Sequence, residues 1–123
     1  MISDWVRALF EAIDRRDPEA FASFLTEDGT FRFGSQPEVR GRAAVTEAVR
    51  GFFSTISGLS HQLARQWSGD DAVVVEGHVT YTRLDGSRVT LPFADVLETR
   101  DGKVGDYRIY IDIAPLFAPA SAS

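Results

Sequence analysis

Asp95 lies in the run Val89-Thr90-Leu91-Pro92-Phe93-Ala94-Asp95-Val96-Leu97, whose composition and alternation predict a β-strand. Side chains alternate across a strand, so residues 89, 91, 93, 95 and 97 share one face. That face reads Val, Leu, Phe, Asp, Leu: apolar except for one carboxylate. A lone acid on an apolar face is unfavourable unless it is paired, protonated or used. Desolvation raises the pKa of such a group, and once protonated it can donate to a developing oxyanion. Ionised, and held by a hydroxyl such as that of Tyr107, it can act as a general base.

Other residues supply compatible chemistry. Tyr107 and Tyr81 fall on the same predicted face and combine an apolar ring with a hydroxyl. His61 opens the strand after the third predicted helix, and a neutral imidazole there can relay a proton near physiological pH. The loop 68–71 leaves its face open. Phe93, Ile109 and Tyr81 are candidate ligand contacts, with Trp67, near a hairpin end, at the rim. Glu76 and His78 share the opposite face with Thr80 and Thr82. Their i, i+2 spacing lacks a third ligand, so a solvated or subunit-facing surface is expected rather than a metal site.

The elements that position these residues follow from periodicity. Val6, Leu9, Phe10 and Ile13 predict a first helix over 3–15, with Ser3 as N-cap. Asp17-Pro18-Glu19 predicts a second, with Asp capping and Pro at the first helical position, and with Phe21, Phe24 and Leu25 as its stripe. A short strand is expected over 30–33, and a third helix over 43–56 through Val45, Val49, Phe52, Phe53 and Ile56. The period then changes to two, giving strands over 59–68, 72–83, 88–99 and 103–113. These are separated by Gly69-Asp70, Leu84-Asp85-Gly86 and Arg100-Asp101-Gly102. The expected class is α+β, with helices on a curved, mainly antiparallel sheet.

Three-residue loops at both Asp-Gly turns would set Asp95 opposite Val75 and Tyr107, Val79 opposite Leu91, Phe93 opposite Ile109 and Leu91 opposite Ile111, with every odd position on one apolar face. A two-residue Asp101-Gly102 turn would instead set Asp95 opposite Arg108 and Leu91 opposite Asp112. The hydrophobic pattern favours the first register, because a one-residue slip inverts every side chain. Gly77, inside a strand, marks a place where a bulge would alter parity.

The chain has 123 residues, 44% hydrophobic and 25% charged, which suits one globular core. One domain over 1–117 and a flexible tail over 118–123 are expected. Thirteen Lys+Arg against 18 Asp+Glu give a net charge of −5, which disfavours nucleic acid and anionic membranes as partners. The absence of cysteine excludes disulfides, thiolate catalysis and Cys-ligated zinc. No secretory signal or membrane span is read, so a cytoplasmic protein is expected.

The order of elements resembles the NTF2-like superfamily, in particular its SnoaL-like and ketosteroid-isomerase-like branch. The motifs that carry the resemblance are Asp17-Pro18-Glu19-Ala20-Phe21, Thr26-Glu27-Asp28-Gly29-Thr30-Phe31, the Val39-to-Val45 segment, Asp101-Gly102-Lys103-Val104 and the Tyr107-to-Asp112 segment. The resemblance implies a cone of three helices over a bent sheet, a pocket lined by Asp95, Tyr107 and Tyr81, a homodimer, and a cofactor-free pocket for an apolar small molecule. Acid/base isomerase, cyclase or hydrolase chemistry on carbonyl, polyketide or epoxide-like compounds is one expectation. A non-catalytic binding or dimerisation module is the other.

The chain departs from particular relatives. Ketosteroid isomerases carry a general-base aspartate after the first short strand, where this chain reads Phe31-Arg32-Phe33-Gly34-Ser35-Gln36. Their first-helix tyrosine is replaced by Leu9 or Phe10, while Asp95 aligns with their protonated aspartic acid. Ile109 stands where limonene-type epoxide hydrolases place a catalytic aspartate. Neither activity is carried over.

Overall fold

Val6, Leu9 and Phe10 bury one stripe of the first helix, α1 (Asp4–Asp14). Ser3 takes the N-cap position without a side-chain cap; its hydroxyl instead accepts from Gln66 Nε2 at 2.7 Å. Asp17 caps the second helix, α2 (Pro18–Ala22), by accepting from the Ala20 N–H at 3.0 Å, with Pro18 in the first turn. The computed structural model describes residues 1–118; residues 119–123 of the expected tail lie outside the described residues.

The second helix is shorter than its apolar spacing predicts. Leu25 belongs to strand β1 (Leu25–Phe33), where it pairs with Val104. Its burial is satisfied by the sheet rather than by another helical turn, so tertiary pairing overrides the local pattern. Strand β2 (Val39–Arg40) and helix α3 (Arg42–Phe53) follow, with Val45, Val49 and Phe53 turned inward. Strands β3 (Gly58–Ser68), β4 (Ala72–Thr82), β5 (Arg88–Arg100) and β6 (Lys103–Tyr110) make the meander; the last strand ends at Tyr110 rather than at 113, and a short helix, α4 (Ala114–Phe117), follows it.

The class is α+β, as expected. The curved sheet has six strands in the order β2-β1-β6-β5-β4-β3, with β1 and β6 parallel and the other neighbours antiparallel. Its concave face and the helices enclose one core, which holds Leu9, Phe21, Leu97 and Tyr107.

Two turn geometries set the register. Between β4 and β5 a three-residue loop, 84–86, carries Gly86 at φ 89°, and Val75 faces Asp95 as expected. Between β5 and β6 the turn has two residues, Asp101 (φ 52°) and Gly102 (φ 77°), with Arg100 facing Lys103. That turn alone would bring Arg108 to Asp95. Instead Gly105 is inserted as a bulge, so Glu98 faces Asp106, Leu97 faces Tyr107, and Asp95 faces Ile109. The pairings expected for Asp95 with Tyr107, Phe93 with Ile109 and Leu91 with Ile111 are therefore each displaced by two residues. The odd positions nevertheless keep the inner face.

A second bulge lies at Ala64. Leu63 faces Gly77 and Arg65 faces Glu76, so Ala64 is the inserted residue. Gly77 makes this possible, because a Cβ there would stand 2.0 Å from the Gln62 carbonyl oxygen. Up to Leu63 the odd residues of β3 face inward; beyond the bulge the even ones do.

Candidate functional site

Between the concave sheet face and the helices lies a cavity of about 540 Å³. Its floor is Val79, Tyr81, Phe93 and Asp95, its side is Tyr107 and Ile109, and α3 contributes Val49, Phe52 and Phe53. Aromatic rings dominate the wall: Phe33 meets Phe52 edge-on at 4.8 Å and Phe52 meets Tyr81 edge-on at 5.8 Å. An apolar wall with few convergent polar groups is the composition of a small-molecule site.

Asp95 is 2% exposed. Val75 flanks it on β4 and Ile109 on β6, so neither neighbouring strand offers it a partner in register. The Tyr107 hydroxyl reaches it diagonally and donates to Oδ2 at 2.8 Å. The Tyr107 ring is fixed by Phe21 edge-on at 5.2 Å and by Phe31 at 5.7 Å. Asp95 Oδ1 is buried and has no hydrogen-bond partner among the described residues. Burial pushes the Asp95 carboxyl up to about 7, against the Tyr107 hydrogen bond, which favours the charged form. Burial, and then the adjacent Asp95, hold the Tyr107 phenol well above its ordinary value. A neutral Asp95 accepts from Tyr107 through one oxygen and has an O–H to donate through the other.

Tyr81 is also buried in the wall. Burial raises its pKa above the ordinary tyrosine value, and the carboxylates of Asp95 and Asp14 raise it further, so it remains a phenol. His61 faces inward, opposite Val79, and lines the cavity. Its ring packs edge-on against Phe10 at 4.9 Å and Phe93 at 5.2 Å. The cavity thus gathers Asp95, Tyr107, His61, Tyr81, Phe93 and Ile109.

Trp67 is not among them. It pairs with Val74 beyond the Ala64 bulge, which turns it to the convex face, where it is 48% exposed. A strand without the bulge would have carried it inward with His61. Glu76 and His78 also lie on that outer face, and Arg65 approaches Glu76 at 3.8 Å. Among the described residues no group of three His, Asp or Glu is placed to hold a metal ion.

Three features of the site lack a local signal in the sequence. Asp14, at the end of α1, touches His61 across 47 positions of chain. The cavity mouth is built from the β1–β2 connection, with Gln36 and Glu38, and from Phe117 of α4. That helix is held by Arg83, which donates to the carbonyls of Leu116 at 3.0 Å and Pro115 at 2.8 Å.

Residues 6–107 match the model of the SnoaL-like domain family. No curated protein matches the chain significantly. Among solved structures, it is similar to a protein of ketosteroid isomerase-like fold from Catenulispora acidiphila in complex with trimethylamine, at 18% identity, covering 89% of this chain and 86% of that one, with a TM-score of 0.82. An epoxide hydrolase of M. tuberculosis, described as LEH-like, superimposes with a TM-score of 0.75 at 21% identity over 88% of this chain and 80% of its own. A candidate polyketide cyclase from Xanthomonas campestris gives 0.77 at 24% identity over 92% and 91%. At these identities the likeness is one of fold.

Proposed function

The chain belongs to the SnoaL-like domain family, and on that premise we propose that it is a cofactor-free acid/base enzyme acting on an apolar carbonyl compound, of the kind that isomerases, cyclases and hydrolases transform. One observation carries the reading: Asp95 presents an unpartnered, buried carboxyl oxygen in the wall of an apolar cavity. A structural carboxylate would have both oxygens satisfied. A carboxyl held near pH 7 is matched to proton transfer at neutral pH.

In the proposed reaction a ligand carbonyl oxygen lies against Asp95 Oδ1. As a base removes a proton from the adjacent carbon, the C–H electron pair moves into the new carbon–carbon double bond. The carbonyl oxygen takes the Asp95 proton and becomes an enol hydroxyl. Asp95 is left as a carboxylate steadied by Tyr107, and the removed proton returns at another position or to the same one. Tyr81, Phe93 and Ile109 hold the apolar body. Polyketides, which carry enolisable carbonyls and are suggested by the name of one structural neighbour, belong to the same proposed class; an epoxide, suggested by another, would need a different step. The protein is further proposed to pair as a homodimer through the convex sheet face, where Trp67 and Tyr110 are exposed, and to work in the cytoplasm. A dimer mass under native spray conditions supports the pairing; a monomer alone removes it.

The test is exchange of the α-protons of 2-tetralone, an apolar enolisable ketone, with D2O, followed by proton NMR. Wild-type protein should accelerate exchange, and Asp95→Asn should lower the rate by about 10²-fold or more while binding changes little, because an amide cannot transfer the proton. Binding without exchange in the wild type would favour the second reading, a non-catalytic ligand-binding module. Asp95→Asn with undiminished exchange would remove Asp95 from the chemistry.

A further inference from the structure

Asp14 accepts two hydrogen bonds from one residue. The His61 backbone N–H donates to its Oδ2 at 3.0 Å, and His61 Nδ1 lies 2.6 Å from its Oδ1. The imidazole is clamped between Phe10 and Phe93 and forms part of the cavity wall. Among the described residues Nε2 has no hydrogen-bond partner. A neutral imidazole carries one N–H, and a carboxylate at Nδ1 claims it, since the opposite tautomer would set two lone pairs against each other.

We propose that Asp14 is a positioning residue that fixes His61 as the Nδ1–H tautomer, so that Nε2 is the cavity's proton acceptor and Asp95 its donor. This deepens the acid/base reading above and rests on it. It also narrows the substrate class. The compound must offer an acceptor to Asp95 Oδ1 and a removable proton to His61 Nε2, as enolisable and hydroxylated carbonyl compounds do. In the step, the C–H proton moves to Nε2 and the Asp95 proton moves to the carbonyl oxygen. In that step Asp95 becomes a carboxylate and the imidazole gains a second N–H, its first still directed at Asp14 Oδ1. The imidazolium then forms beside a carboxylate already in place, without reorganisation.

The geometry makes one substitution decisive. In Asp14→Asn the His61 backbone N–H, a fixed donor, still requires the amide oxygen. The amide NH2 is then turned against Nδ1, which must become the acceptor, and the ring proton is driven to Nε2. The experiment is long-range 1H–15N NMR of histidine-labelled protein, with 2-tetralone exchange measured alongside. The expected result is Nδ1–H in the wild type, Nε2–H in Asp14→Asn, and exchange lowered by about 10²-fold or more in the variant, with 2-tetralone binding retained. Nε2–H in the wild type, or an unchanged tautomer in the variant, overturns the proposal. The wild-type spectrum decides alone if Asp14→Asn does not fold. Exchange lost in Asp95→Asn but intact in Asp14→Asn overturns the role of Asp14 and leaves the acid/base reading standing. No exchange by the wild type, with both tautomers as expected, removes that reading and the base role of Nε2, and leaves only the positioning of the ring.

Discussion

Tyr107 donates to Asp95 at 2.8 Å although the two residues do not face each other: Tyr107 lies opposite Leu97, and Asp95 opposite Ile109. The bond runs diagonally across the β5–β6 pair. It satisfies one oxygen and leaves the other, Oδ1, without a partner. Without the Gly105 insertion Asp95 would face Arg108 and Tyr107 would face Val96, on the other side of the sheet. The Gly105 bulge therefore decides both the partner of Asp95 and the orphaned oxygen.

Removing the hydroxyl should make Asp95 harder to ionise. The Tyr107 bond favours the charged form against burial, so Tyr107→Phe should move the Asp95 midpoint above about 7. Loss of a buried hydrogen bond should also destabilise the fold by about 1–2 kcal/mol. Infrared titration of the protonated carboxyl band and urea unfolding read the two effects. A midpoint that falls would contradict the assigned donor.

Stability should depend on pH through Asp95. The folded protein takes up this proton at about 7, and the unfolded chain near the ordinary value of 3.8. Between those values the folded state binds more protons, so stability falls as pH rises. The contribution is fully present below the unfolded value and fully lost above the folded one. Asp95→Asn removes this dependence. Relative to wild type, the variant should gain on the order of 3 kcal/mol between about pH 4.5 and about pH 7.5, measured by urea unfolding. Parallel pH curves for the two proteins would sink this expectation.

Gly77→Ala should be among the most damaging small substitutions. The new methyl would meet the Gln62 backbone carbonyl oxygen at 2.0 Å, within the β3–β4 pair at one edge of the sheet. A loss of about 2–4 kcal/mol is expected, because overpacking here moves the bulge itself. Thermal unfolding measures it. A change below about 1 kcal/mol would mean that the β3–β4 pair accommodates the methyl without strain.

Trp67→Ala should leave ligand binding alone. The side chain stands on the convex face, on the far side of the sheet from the cavity. Titration of 2-tetralone should give the same affinity for variant and wild type. A clear loss would place the ring at the cavity after all.

Much of this arrangement is legible in the sequence. The solitary Asp95 among apolar odd positions identifies the site-bearing face, and the Asp85-Gly86 loop gives the correct β4–β5 register. What escapes is of two physical kinds. One inserted residue reverses a strand's facing, so Ala64 carries Trp67 outward, and Gly105 returns Tyr107 to the inner face after a turn that alone would have set it outward. No short-range pattern announces either insertion beyond the two glycines. The other kind is contact at long range: Asp14 ends an ordinary amphipathic helix, and nothing near it indicates that His61 will dock there. Leu25 is a related case, an apolar residue equally suited to a helix stripe and to a strand, with the pairing to Val104 deciding.

The central claim is that the cavity holds Asp95 as a carboxylic acid poised to give up its proton near neutral pH. Carbon-detected NMR titration of the Asp95 side-chain carboxyl in the wild-type protein tests it directly. The account predicts a midpoint near 7, with the carboxyl still protonated at mildly acidic pH. A midpoint at or below the ordinary value of 3.8 would contradict it, leaving a charged group in the wall and no acid for the chemistry.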